Sequence, residues 1–215
     1  MKTKTLVIAV SSVLFSTAMC AQTATTFGIR AGVNFQNLNG RDFNDDKLEN
    51  DLKTGFHAGV NAEIPVGIDF YVQPGLLFST KGAKAEISGP TNGSTIDAKT
   101  NLSYLELPVN FIYKPELGQG RMILGFGPYA AYALGGKSKI DDLEEDIEFG
   151  DQPTEWKRFD AGANLLAGYE FVNKLSVQLN AGLGLVRLNN RPDSDKNSSV
   201  KNTGFGVSLG YRFGQ

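Results

Sequence analysis

A period of two in hydrophobicity constrains this chain more than any other feature. Phe27, Ile29, Ala31, Val33 and Phe35 are apolar, and Gly28, Arg30, Gly32 and Asn34 fall between them. Successive side chains of a β-strand point to opposite faces, so such a segment has one greasy face and one small or polar face. The pattern returns at Phe56–Ile64, Phe70–Phe78, Leu105–Tyr113, Met122–Tyr132, Phe159–Phe171, Leu175–Leu185 and Phe205–Phe213. The helical period is absent from these runs. Eight strands is an even number, as a closed antiparallel barrel of the outer-membrane type requires.

The connections order the strands. Short ones fall near Pro65–Ile68, Pro115–Gly120 and Val172–Lys174, and long polar ones near Gln36–Lys53, Gly82–Asn101, Gly136–Lys157 and Asn189–Thr203. Strict alternation of long and short describes short periplasmic turns, long outside loops and both termini in the periplasm. The expected fold is therefore all-β, an eight-stranded antiparallel up-and-down transmembrane β-barrel of OmpX/OmpA-like architecture.

Alternation alone does not say whether the greasy face lines a core, as in a soluble lipocalin-like barrel, or meets lipid. Aromatics near the ends of the greasy faces favour lipid, because Phe27, Phe35, Phe56, Phe70, Phe78, Tyr113, Tyr132, Tyr169 and Phe171 would form interfacial girdles. The opposite faces carry charges unsuited to lipid. Glycine, 25 of 215 residues, suits tightly curved strands. Pro74, Pro108 and Pro128 lie inside proposed strands, where a missing N–H predicts local kinks or bulges.

The first residues read as a secretory signal. Lys2 and Lys4 form a basic n-region, Leu6–Phe15 an apolar stretch, and small residues offer cleavage after Cys20 or Ala21. Residues 1–21 are thus expected to be a signal peptide and 22–215 one barrel domain. Met19 argues against lipidation of Cys20, which needs a small residue just before it. No apolar run reaches the about 20 residues of a spanning helix. Without Lys2 and Lys4, 19 basic residues face 23 acidic ones, a net of −4 with no footprint for nucleic acid.

Phe27–Asn34 (FGIRAGVN), Gly55–Val60 (GFHAGV), Tyr71–Lys84 (YVQPGLLFSTKGAK), Ser103–Val109 (SYLELPV), Gly125–Tyr132 (GFGPYAAY), Asp160–Phe171 (DAGANLLAGYEF) and Gly210–Phe213 (GYRF) occur in this order over nearly the whole mature chain. In them the sequence resembles the PorT-like outer-membrane β-barrel family of the Bacteroidetes. The resemblance implies a barrel inserted into outer-membrane lipid with help from the barrel-assembly machinery. It implies no activity. The founding member's link to type IX secretion is not carried over, since most relatives are functionally unassigned. Gly214 and Gln215 depart from a strictly terminal aromatic.

An eight-stranded barrel encloses little more than its own side chains, so the inward set Arg30, His57, Glu63, Glu106, Asp160, Glu170 and Arg212 is expected to form a structural polar network. Unpaired charges there would cost several kcal/mol, and the network is expected to centre on Glu106, Arg30 and Arg212. His57, the single histidine, lacks a nucleophile elbow, a second metal-ligand histidine or a mature cysteine to work with. The stretch Asp141–Asp151 has seven acids in eleven residues without the calcium-loop spacing, and the loop with Asp42, Asp45, Asp46, Glu49 and Asp51 is similar. Both read as solvated loops. No phosphate-binding glycine loop is present. The chain reads as a non-catalytic outer-membrane barrel without metal or cofactor. Its role would be structural, or carried by loops that meet a surface or periplasmic protein, within envelope or secretion processes. The alternatives are an envelope enzyme acting on lipid or peptide through His57, and a narrow pore.

Overall fold

The structure, a computed structural model, describes residues 24–41, 50–88, 95–141, 143–152, 155–190 and 199–214. The signal-peptide assignment and the acids Asp42, Asp45, Asp46 and Glu49 lie outside these residues. Eight long strands make the wall: β1 (Thr26–Arg41), β2 (Lys53–Gly67), β3 (Phe70–Ser88), β4 (Thr95–Tyr113), β6 (Gly120–Ile140), β8 (Phe159–Glu170), β9 (Leu175–Gly184) and β10 (Ser199–Phe213). Two short strands, β5 (Glu116–Leu117) and β7 (Leu143–Asp146), each pair with β6. All pairings are antiparallel, β4 pairs with β6, and β1 pairs with β10 from Phe27↔Phe213 to Arg41↔Ser199. The ring is closed.

Closure decides where the faces point. Phe27, Ile29, Val33, Phe56, Val60, Leu107, Phe126, Leu165, Leu179 and Leu209 are exposed, while Asn34, His57, Glu63, Glu106, Asp160, Glu170, Ser208 and Arg212 are buried. The greasy face is outside, which excludes the lipocalin arrangement. Aromatic pairs edge this belt at both ends. Phe35–Phe205 and Phe56–Phe78 (ring centroids 5.3 and 5.7 Å apart) lie toward the long connections. Phe70–Tyr113, Tyr169–Phe171 and Tyr211–Phe213 (4.8, 5.1 and 5.1 Å) lie toward the short turns. Phe27 and Phe35 are separated by about 27 Å along the strand, or about 20 Å of height at a tilt of about 40°. That height matches an outer-membrane apolar band.

Three expectations change. No register shift falls at Pro74, Pro108 or Pro128. Pro74↔Val109 are paired, but pairing lapses between Pro74 and Leu77 on β3, and on β4 opposite β6 between Pro108 and Phe111. The register is the same on both sides of each gap. Slippage occurs instead at Pro65/Gly67 and at Ser103/Tyr104. Second, β3, β4 and β6 run far into regions read as loops, because polar residues there continue the same cross-strand pairing. Third, the lumen is not only polar: Ile112, Ile123 and Leu166 form one buried apolar cluster, and Leu102, Tyr104, Tyr129, Ala131 and Ala133 another.

Candidate functional site

The inward residues form three groups stacked along the lumen. Nearest the short turns, Lys114 Nζ lies 3.0 Å from Glu63 Oε2 and 2.7 Å from Glu170 Oε2. Arg212 Nε lies 3.2 Å from Glu170 Oε2, and its Nη2 also meets Glu63. Gln73 Nε2 donates to Glu63 Oε1 at 3.1 Å. Two cations and two carboxylates thus form a charge-balanced septum. Balance matters here, because a single unpaired charge in such a site costs several kcal/mol.

Farther out, Lys81 Nζ lies 2.9 Å from Glu106 Oε1 and 3.4 Å from Asp160 Oδ2, and 4.5 Å above the ring of Tyr129. Asp160, wholly buried, also accepts hydrogen bonds from Tyr129 Oη at 3.2 Å and Asn202 Nδ2 at 2.9 Å. The expected grouping of Glu106, Arg30 and Arg212 is therefore split. Arg212 is on β10 close to the short turns and shares Glu63 and Glu170 with Lys114, whereas Glu106 is at mid-height on β4 and meets Lys81.

Lys81 and Lys114 are the residues that sequence reasoning missed. Both follow the inward phase of their strands: Lys81 continues Leu77 and Ser79, and Lys114 continues Asn110 and Ile112. Continuing the inward phase past the ends of the apolar runs would have found both.

The third group surrounds His57. Its Nδ1 lies 2.5 Å from Asn34 Oδ1 and its Nε2 2.7 Å from Ser208 Oγ, which in turn contacts Asn180 Oδ1 at 2.7 Å. Ser208 Oγ donates its single proton to Asn180 Oδ1, so it has none to give to His57 Nε2, and the hydrogen bonds as they stand do not make the order of a nucleophile held by a base. Glycine at 32 permits this packing, since a Cβ there would stand 2.8 Å from His57 Cε1 and 2.1 Å from the Val207 carbonyl. Solvent has little access to this serine. Ser208 is 1 % exposed, and the adjoining cavity of about 60 Å³ is walled by Arg30, Asn34, His57 and Asn180 but not by Ser208. Arg30 Nε and Nη1 are buried in this lumen without a hydrogen-bond partner.

Toward the long connections the lumen is capped. Trp156 packs against both the Leu102–Tyr104–Tyr129 cluster and a second cluster of Leu38, Ala83 and Leu188. Backbone bonds from Trp156 N to Glu148 O (2.9 Å) and from Lys157 N to Leu188 O (2.7 Å) hold the segment down, with Arg158 4.7 Å above the Phe149 ring. Part of the acidic stretch is ordered into this structure: β7 pairs with β6, and Lys137 Nζ meets Glu144 Oε1 at 2.5 Å. Among the described residues no three His, Cys, Asp or Glu side chains gather as a metal site.

The family model described as outer membrane protein beta-barrel domain matches residues 20–190. The chain belongs to that family. Its place is the outer membrane, and the greasy belt between two aromatic girdles is the surface it presents to lipid. No curated protein matches the chain. Three solved barrels are similar in fold. Ail, the attachment invasion locus protein of Yersinia pestis, determined in complex with the heparin analogue sucrose octasulfate, is 15% identical, with 89% of this chain and 100% of that one covered and a TM-score of 0.42. A major outer membrane protein from Thermus thermophilus is 18% identical over 89% and 100%, with a TM-score of 0.48. The Escherichia coli outer membrane protein W is 14% identical over 90% and 100%, with a TM-score of 0.38.

Proposed function

We propose that this barrel is a non-catalytic outer-membrane scaffold that presents its outer strands and loops to a surface or periplasmic protein. The observation that carries this reading is the division of labour along the barrel. Inside, Lys81, Lys114 and Arg212 are tied to Glu106, Asp160, Glu63 and Glu170. Outside, β3, β4, β6 and β7 continue past the greasy belt as an ordered sheet. Recognition on a rigid scaffold resides in such projecting segments. Residues 1–21 direct export and are removed, residues 22–215 form the barrel, and the barrel-assembly machinery inserts it. The resemblance to the PorT-like family of the Bacteroidetes supports a place in envelope or secretion processes.

The test is a pull-down from solubilised outer membranes with the wild type and with a variant in which residues 137–152 are replaced by a short turn. The scaffold reading expects a protein that is recovered by the wild type and lost with the variant. Identical recovery by both would count against it. The reading of His57 as a catalytic base rests on its distances to Ser208 and Asn34. Turnover of lipid or peptide esters that disappears in both His57→Ala and Ser208→Ala would establish it and displace the scaffold reading.

A further inference from the structure

The buried charges of the lumen cancel, and Arg30 is left over. Among the described residues the buried ions are Lys53, Lys81, Lys114 and Arg212 against Glu63, Glu106, Asp160 and Glu170, with His57 counted neutral. The septum of Lys114, Arg212, Glu63 and Glu170 is balanced within itself. Lys53, Lys81 and Arg30 therefore share two carboxylates, Glu106 and Asp160, and Lys81 contacts both. Among the described residues no carboxylate pairs with Arg30, and its Nε and Nη1 are buried without a hydrogen-bond partner. The acid whose charge reaches it is Glu106, which is held by Lys81 at 2.9 Å.

Arg30 borders the cavity of about 60 Å³, a space several times the about 10–15 Å³ that one water needs. The other ions in its lining are Lys81 and Glu106, so the wall carries two cations and one carboxylate. Glycine leaves the space open on the β9 side. A Cβ at Gly182 would meet only Asn164 Oδ1, at the ordinary contact distance of 3.5 Å. Asn180, also in the lining, accepts from Ser208 through Oδ1, which leaves its Nδ2 to donate to a ligand.

Size and charge select the ligand. Water alone would give the guanidinium acceptors but leave the excess positive charge uncompensated, which is unfavourable away from bulk solvent. A dianion such as sulfate would overshoot by one charge. A monovalent anion brings the lumen to neutrality, and only a small one fits beside the side chains that already fill a barrel of eight strands.

We infer that the cavity beside Arg30 holds one small monovalent anion of the halide class, an internal counter-ion of the barrel. The Arg30 guanidinium and the Asn180 amide hold it, while Lys81 stays with Glu106 and Asp160. The unfolded chain has no such site, so the ion stabilises the folded barrel by mass action.

The experiment refolds the purified protein into neutral detergent in sodium chloride, sodium bromide or sodium gluconate at one ionic strength. Gluconate is too large for the cavity. Chloride and bromide are expected to raise the unfolding temperature above that in gluconate by on the order of 3 °C, saturating with concentration. Crystals grown in bromide should show an anomalous-scattering peak in the lumen at Arg30. Gly182→Val narrows the cavity and leaves Arg30 in place, and Arg30→Met removes the excess charge. Each should abolish the difference between halide and gluconate. The comparison of salts uses unmodified protein and needs no variant to fold. Equal unfolding temperatures in the three salts, a lumen that holds water but no bromide, or a folded Gly182→Val protein that responds to halide like wild type would each overturn the assignment.

Discussion

Lys81 and Lys114 hold the lumen together, because each one bridges two carboxylates. Removing Lys81 leaves Glu106 and Asp160 without their shared cation, whereas removing Glu106 still leaves Lys81 its contact with Asp160 at 3.4 Å. Breaking a buried pair from the side that leaves charge uncompensated costs roughly 3–5 kcal/mol. Lys81→Met should therefore lower the unfolding temperature in detergent by on the order of 10 °C, and Glu106→Ala by clearly less. Equal effects of the two variants would contradict this order. The inward carboxylates were legible from strand phase alone. Their partners were not, because phase assigns a face but not a height, and pairing depends on height.

Elements differ in how firmly they are bonded. The β1–β10 ladder runs without a gap from Phe27 to Arg41, while the β3–β4 and β4–β6 ladders lapse beside Pro74, Pro108 and Pro128. Proline has no N–H to give to a ladder, and the register-matched row Pro74–Val109 brings two of these gaps to neighbouring strands. Hydrogen exchange in detergent should show amides of β4 around Val109 and Asn110 exchanging ahead of those of β1 from Ile29 to Phe35. Uniform protection around the ring would contradict this. The eight strands themselves were plain in the sequence, since a greasy face repeats every second residue. The outer ends of β3, β4 and β6 were not plain, because their alternation is polar on both faces and only the pairing reveals them.

At the scale of the whole molecule, the septum of Lys114, Arg212, Glu63 and Glu170 and the cap around Trp156 close the lumen at its two ends. Planar bilayers containing the refolded protein should show no steady conductance. Stable single-channel steps would instead support the narrow pore and require both closures to open. The outward belt also demands detergent, and refolded protein that stays monodisperse without it would contradict the orientation. By itself the sequence determined the strand count, the alternation of faces and the order of short and long connections, because these depend on neighbours one or two residues away. Tertiary structure alone decided which lysine meets which carboxylate, that Ser208 and Asn34 flank His57, and that the β4–β6 register slips by one residue at Ser103/Tyr104. Each of these joins residues far apart in the chain, and ring closure brings them to the same height.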